Sequence, residues 1–512
     1  MKDQRQAISH KLQGAGKGCS GRRGAVFRAA SVAAAALLLS ACAGFPTTEK
    51  QVAATDPQAP ALDIQSWQTE QGAKVLFVAS DALPMLDIRL VSDAGSARDG
   101  GHPGLASLTS ALLGEGADDM SVDDIARGFE DQGASFSASS YRDMGVISLR
   151  TLSDAQYREP VLTLFKQVIA SPTFEQDTLV RIRTQMMQGL RMETQVPGPQ
   201  VSKAFQSTVF AGHPYGQPSD GTLDSLPAIA RDQLQDFYRT YYAAGNTVIA
   251  MVGDLDRAEA EQIAEGISAA LPQGSAAPQL ERATPLAERQ RQHINFPSAQ
   301  THILLGNQAT WRGNPDHVAL YVGNQVLGGG GFASILTDEV RQKRGYVYGI
   351  SSHFGPMAAG GPFQVSLQTG NDNVDDALTL TLDLIDQFVQ DGPTAAQLEE
   401  ARTSILGSFA LGTADNSDII GQLGAMGFYD LPLDYLQWFN QQVRTVTAED
   451  IQTAFQRNLN PDNLAIVSIG PREPQIRPEG ANTKQADSDA GEQPASSSPS
   501  TPSTLAEPTD AP

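Results

Sequence analysis

Residues 328–352 read GGGGFASILTDEVRQKRGYVYGISS. Phe332, Ile335, Leu336 and Val340 recur at helical spacing and predict one apolar stripe on a helix. Lys343 and Arg344 suit the negative end of that helix, and Gly345 just beyond them is the usual residue for a left-handed cap. After the cap the pattern alternates. Tyr346, Tyr348 and Ile350 point one way and Val347, Gly349 and Ser351 the other, as on a strand. The helix delivers Arg341 near its end and the strand delivers Tyr348 seven residues later, so both can reach one site across the turn. By residence alone such an Arg is an ordinary solvated charge and such a Tyr partly core.

The order of residues adds to this. VRQKRGYVYGI, residues 340–350, resembles the segment that reads approximately LREKRGLAYSV in the C-terminal half-domains of the pitrilysin-like zinc peptidases, the inverted zincin or M16 family. The resemblance implies that Arg341 and Tyr348 reach a zinc site on a different domain and hydrogen-bond the substrate around the scissile carbonyl. Gln342 departs from the family, which often has Glu there.

The same resemblance directs attention to DAGSARDGGHPGLASLTSALLGEGADDMS, residues 93–121. In active relatives the Gly-Leu-Ala is followed by His-x-x-Glu-His, whose two His bind zinc while the Glu acts as base on zinc-bound water. Gly104, Leu105 and Ala106 match. Ser107, Ser110 and Ala111 then occupy the first His, the Glu and the second His positions. Serine is a poor zinc ligand beside imidazole, alanine is none, and no carboxylate base remains. The downstream Glu ligand is also missing at the best match, where Gln188 and Gly189 stand, with Glu193 nearby but alone. His102, a loop residue between Gly101 and Pro103, reads as exposed or structural. The other histidines outside the leader, His213, His293, His302, His317 and His353, form no pair at i, i+3 or i, i+4. The expectation is that this chain binds no metal. Nor does it carry a Gly-x-Ser-x-Gly elbow, and Gly328–Gly331 lack the Lys and hydroxyl of a phosphate loop. Those glycines read as a flexible lead into the helix, or as room for a substrate backbone.

The chain also repeats itself. LQDFYRTYYAAGNTVIAMVGD ends the first half and IQTAFQRNLNPDNLAIVSIG the second; Asn246 and Asn463 stand 217 positions apart. SPTFEQDTLVRIRTQMMQGL corresponds likewise to DGPTAAQLEEARTSILGSF, so the self-similarity reads as a duplicated domain. Hairpin-like strands with grouped helices predict an α+β fold rather than a doubly wound sheet. The resemblance, covering about Asp63 to Gly470, implies two homologous domains, each a mostly antiparallel sheet with helices on one face. The predicted boundaries are a domain over 63–270 with the degenerate zinc motif, a Pro/Gly/Ala-containing linker over 271–291, a domain over 292–473 with the Arg/Tyr segment, and a disordered tail over 474–512.

Residues 1–41 read as an export signal: basic residues, then an apolar run from Ala29 to Leu39 that is too short to span a bilayer. Leu39-Ser40-Ala41-Cys42 resembles a bacterial lipobox, which implies acylation of Cys42 and a lipid anchor. Residues 42–62 would then be a tether, and Ala43 resembles outer-membrane sorting on the periplasmic side. With only Cys19 and Cys42 present, no disulfide is expected in the mature fold. The full chain carries −22, and residues 1–41 contribute a net +6, so the mature chain lies near −28. Nucleic acid is not an expected partner for such a surface.

A chain without zinc ligands that keeps Arg341 and Tyr348 resembles the non-catalytic subunit of a two-chain M16 peptidase. The resemblance implies a zinc-binding partner that carries His-x-x-Glu-His, peptide substrates, and a chamber of four half-domains. The alternative is a non-proteolytic scaffold or binding lipoprotein on the same fold.

Overall fold

The computed structural model describes residues 62–477. The signal segment, Cys19, Cys42, the tether up to residue 61 and the tail from 478 lie outside the described residues. The described chain is built twice over.

The first half contributes β1 (Gln65–Gln68), β2 (Lys74–Ala79), β3 (Met85–Ser92), the two-residue pair β4 (Gly116–Ala117) and β5 (Met120–Ser121), β6 (Ser135–Ser140), β7 (Gly145–Leu152) and β8 (Thr247–Gly253). The second contributes β9 (Gln290–Asn295), β10 (Gln300–Thr310), β11 (Val347–Phe354), β12 (Gly361–Gly370) and β13 (Ala465–Gly470). Six strands form one sheet in the order β1-β2-β8-β3-β7-β6, and five form another in the order β11-β12-β10-β13-β9. Without β1 the two orders match strand for strand. In each, one parallel pair, β2 with β8 and β9 with β13, sits among antiparallel neighbours. The fold is α+β with two like domains, as the internal repeat implies.

One face of each sheet is covered by that half's own helices. In the first half Val75, Phe77, Ile88 and Leu90 meet Leu108, Leu112, Phe165 and Phe237. The other face takes a helix from the opposite half. Helix Asn416–Phe428 lays Ile419, Ile420, Leu423 and Met426 on Leu76, Val91, Val248 and Ala250. In return, helix Pro197–Val209 lays Val201, Phe205 and Val209 on Leu304, Ala465, Val467 and Ile469. This exchange explains why β8 and β13 are buried at every residue: a strand covered on both faces reads as a continuous apolar run.

The linker is pinned rather than loose. Asn246 accepts from Ala277 N at 2.7 Å and Asn307 accepts from Leu286 N at 2.9 Å, one in each half. Its last two predicted residues, Gln290 and Arg291, already belong to β9 and pair with Ala465 and Ile466. At the other end the packed structure continues past Glu473: Ile476 packs on the second core, and Arg477 N donates to Thr379 Oγ1 at 3.0 Å.

Candidate functional site at the Arg341 and Tyr348 rim

The apolar stripe is shorter than its periodicity predicts. Leu336 and Val340 are fully buried, whereas Phe332 is 69% exposed. The break has a local cause: Gly331 takes φ +59 and a 3-10 turn over Gly331–Ala333 ends before the helix begins. The helical segment itself, Thr337–Gln342, is π-helical, with Lys343 N reaching Asp338 O at 2.9 Å. Such wide turns concentrate at functional sites. Gly345 closes the helix at φ +63, and Tyr346 N bonds Val340 O at 3.0 Å, as the cap requires.

The glycines before Phe332 serve close packing. A Cβ on Gly328 would lie 2.4 Å from Ser352 Oγ, and one on Gly330 would lie 2.4 Å from Gln325 O. Gly328 lets this turn press onto β11 and Gly330 lets it fold against Gln325, so the flexible lead expected from composition is instead a tightly seated one at these two positions.

The strand alternation is also re-phased. Val347 pairs with Thr369 and Gly349 with Gln368, which leaves Tyr348 as the extra residue of a β-bulge. Val347 and Ile350 therefore both turn into the core, while Tyr348 is 64% exposed, on the edge strand of its sheet. Bulges re-aim side chains in this way near working sites. Arg341 is exposed as well, with its guanidinium carbon 5.0 Å from the centroid of the Phe332 ring. The neighbouring acids are already occupied: Lys343 Nζ pairs with Asp338 at 2.8 Å and Glu339 at 2.7 Å, and Arg344 with Glu339 at 2.6 Å.

In the first half, helix Leu105–Leu112 carries the degenerate positions. Ser107 is half-buried, with Oγ 3.4 Å from Asp220 Oδ1. Ser110 is buried beside the Tyr242 hydroxyl, and neither group makes a hydrogen bond of ordinary geometry. Ala111 presents an exposed methyl. This donor set does not fit zinc, since it offers neither imidazole nor carboxylate. Glu193 is engaged in an ion pair with Lys203. Among the described residues no group of three His, Cys, Asp or Glu is placed to hold a metal. His102 is exposed and lies 2.9 Å from Gln233 Nε2.

The helix is held by a residue that its sequence context does not single out. Asp99 is buried and accepts from Gly104 N at 2.8 Å and Ala106 N at 2.7 Å, satisfying donors at the helix start. Burial pushes its carboxyl up to about 7, against the pull of those two hydrogen bonds. The one available signal is an acid ahead of Gly, Gly and Pro-Gly before an apolar run.

Comparison with known proteins bears on the same segments. A family profile described as Insulinase (Peptidase family M16) matches residues 75–222, and one described as Peptidase M16 inactive domain matches residues 228–405. A solved structure from Pseudomonas fluorescens, described as a peptidase M16 inactive domain, is 46% identical, with a TM-score of 0.78, covering 81% of this chain and all of that one. The chain belongs to peptidase family M16. A non-peptidase homolog from Helicobacter pylori is 25% identical to this M16 chain over 77% of its length and 91% of the relative's. An uncharacterized zinc protease from Streptomyces coelicolor is 27% identical, over 61% of this chain and 69% of that protein.

Proposed function

We propose that this M16 chain is the non-catalytic subunit of a heterodimeric zinc peptidase, and that it supplies Arg341 and Tyr348 to the zinc site of a partner carrying His-x-x-Glu-His. One observation carries the reading. Every zinc-motif position is lost, yet Arg341 and Tyr348 stand exposed on a turn built by a π-helix and a bulge. The exposed Tyr at the bulge and the Arg beside acids that other cations already occupy are hydrogen-bond donors open to a ligand. Directed at a peptide carbonyl, a permanently charged guanidinium and a phenol bind more strongly as the oxygen gains charge in the transition state. The open edge of β11 beside them offers backbone groups to an extended peptide. The partner's zinc would supply the activated water; this chain's share is to bind and to stabilise. A lipid on Cys42 would hold the pair at a membrane on the periplasmic side, the outer membrane by the Ala43 that comes next.

The test is peptide hydrolysis by this chain, by the zinc-binding M16 chain of the same source, and by their mixture, with Arg341→Ala and Tyr348→Phe versions of this chain. Activity confined to the mixture, and lowered about a hundredfold or more by either substitution, supports the shared site. A mixture no faster than the partner alone sinks it. A second reading, a non-proteolytic scaffold on the M16 fold, is favoured by the likeness to a relative described as a non-peptidase homolog. That reading predicts a stable assembly whose formation survives both substitutions and which has no peptidase activity.

A further inference from the structure

We infer that Phe332 and Gln342 are positioning residues for Arg341, holding its guanidinium by a ring face so that its N–H groups stay free for a ligand. The inference rests on the shared-site reading just given.

Phe332 has no packing reason to be where it is. It is 69% exposed and belongs to none of the apolar clusters, while Ile335 and Leu336 beside it do. Its ring instead lies against Arg341, at 5.0 Å from the guanidinium carbon. A carboxylate partner would engage two guanidinium donors in its own plane; an aromatic face attracts the cation without using any of them. The turn contains two acids that could have paired with Arg341, and both are taken by Lys343 and Arg344. The outcome is an arginine that is oriented but not consumed.

The ring in turn is held from the residue next to Arg341. Gln342 Nε2 donates to Phe332 O at 2.9 Å, and Ser334 Oγ donates to Gly331 O at 2.7 Å, fixing the loop that carries the ring. Only a donor can make the first contact. A carboxylate at 342 would set oxygen against oxygen and release the loop.

Two measurements test the inference, one without any partner. In the isolated chain, the side-chain Nε–H resonance of Arg341, assigned by its loss in Arg341→Lys, should show a ring-current shift. The shift should persist in Phe332→Tyr and collapse in Phe332→Leu and Gln342→Glu, with the unfolding midpoint unchanged in all of them. An Arg341 resonance at the position of a free arginine in the unsubstituted chain overturns the inference. In the mixed-chain assay, Phe332→Leu and Gln342→Glu should each lower kcat about five- to tenfold with little change in KM, and Phe332→Tyr should restore the rate. On an Arg341→Ala background Phe332→Leu should add nothing. If Arg341→Ala and Tyr348→Phe are themselves silent, the shared site fails. If they impair but Phe332→Leu does not, or if Phe332→Leu costs the same on the Arg341→Ala background, the positioning role alone fails.

Discussion

The Tyr429 hydroxyl donates to Oδ2 of Asp143 at 2.9 Å, joining the end of helix Asn416–Phe428 to the turn before β7 in the other half. Ala358 N reaches the same oxygen at 2.9 Å, while Tyr215 donates to the other and accepts from Ala359 N at 2.9 Å. One buried carboxylate thus gathers three donors from both halves. Asp143→Leu leaves all three without an acceptor and should cost about 3–5 kcal/mol. Tyr429→Phe removes one hydrogen bond and should cost about 1–2 kcal/mol. Urea midpoints measure both; equal losses would show that the carboxylate is not the centre of the junction.

Two helix glycines, one in an exchanged helix and one outside it, make a second prediction. A Cβ at Gly427 would lie 2.4 Å from Val248 and 3.0 Å from Leu76, where the helix presses on the first sheet. Gly427→Leu should overpack that contact and destabilise by about 1–3 kcal/mol. Gly407 sits within helix Ala395–Phe409 with nothing near its missing Cβ. Gly407→Ala should therefore stabilise by about 0.5–1 kcal/mol through helix propensity. Thermal unfolding of the two variants side by side reads the opposite signs.

Much of this architecture is legible in the sequence because duplication leaves a periodic trace. Asn246 and Asn463, each beside a continuous apolar run, mark equivalent turns before β8 and β13. The Gly345 cap and the Arg341 and Tyr348 spacing are equally visible, since both depend on neighbouring residues. Helical spacing puts Phe332 in the core only by assuming a regular helix, and Gly331 together with the π-turn breaks that regularity before it reaches the ring. The alternation at Tyr348 fails for a related reason: a bulge inserts one residue, and no residue type announces it here. Asp143 leaves no trace in the sequence at all. Its partners at 215, 358 and 429 are brought together only by the exchange of helices between halves.

Zinc makes a third prediction. With Ser107, Ser110 and Ala111 on helix Leu105–Leu112, and no cluster of three His, Cys, Asp or Glu placed to hold a metal among the described residues, the folded chain is expected to bind the ion no more tightly than the unfolded one. Linkage then gives no shift of the unfolding midpoint on adding zinc. A rise in the midpoint of several degrees with micromolar zinc, together with stoichiometric metal after dialysis, would contradict the loss of the site.

Asp99 makes the last prediction, and its sign is set by burial. Its folded carboxyl titrates at about 7, whereas in the unfolded chain an aspartate titrates near ~4. Between those values the folded chain holds a proton that the unfolded chain releases, so stability falls as the pH rises through this window and levels off above it. At low pH the neutral carboxyl still caps the helix through Gly104 N and Ala106 N. At high pH the same contacts hold a buried anion, and Arg142 offsets only part of its desolvation while Asp220 opposes it. Asp99→Asn keeps one acceptor oxygen and cannot ionise. It should be less stable than the unsubstituted chain at pH 5 and lose less on going to pH 8, narrowing the gap by up to about 2.6 kcal/mol. Urea midpoints at the two pH values decide it: a gap that stays constant means that Asp99 is already ionised in the fold at pH 5, and that the start of helix Leu105–Leu112 is held by a full charge.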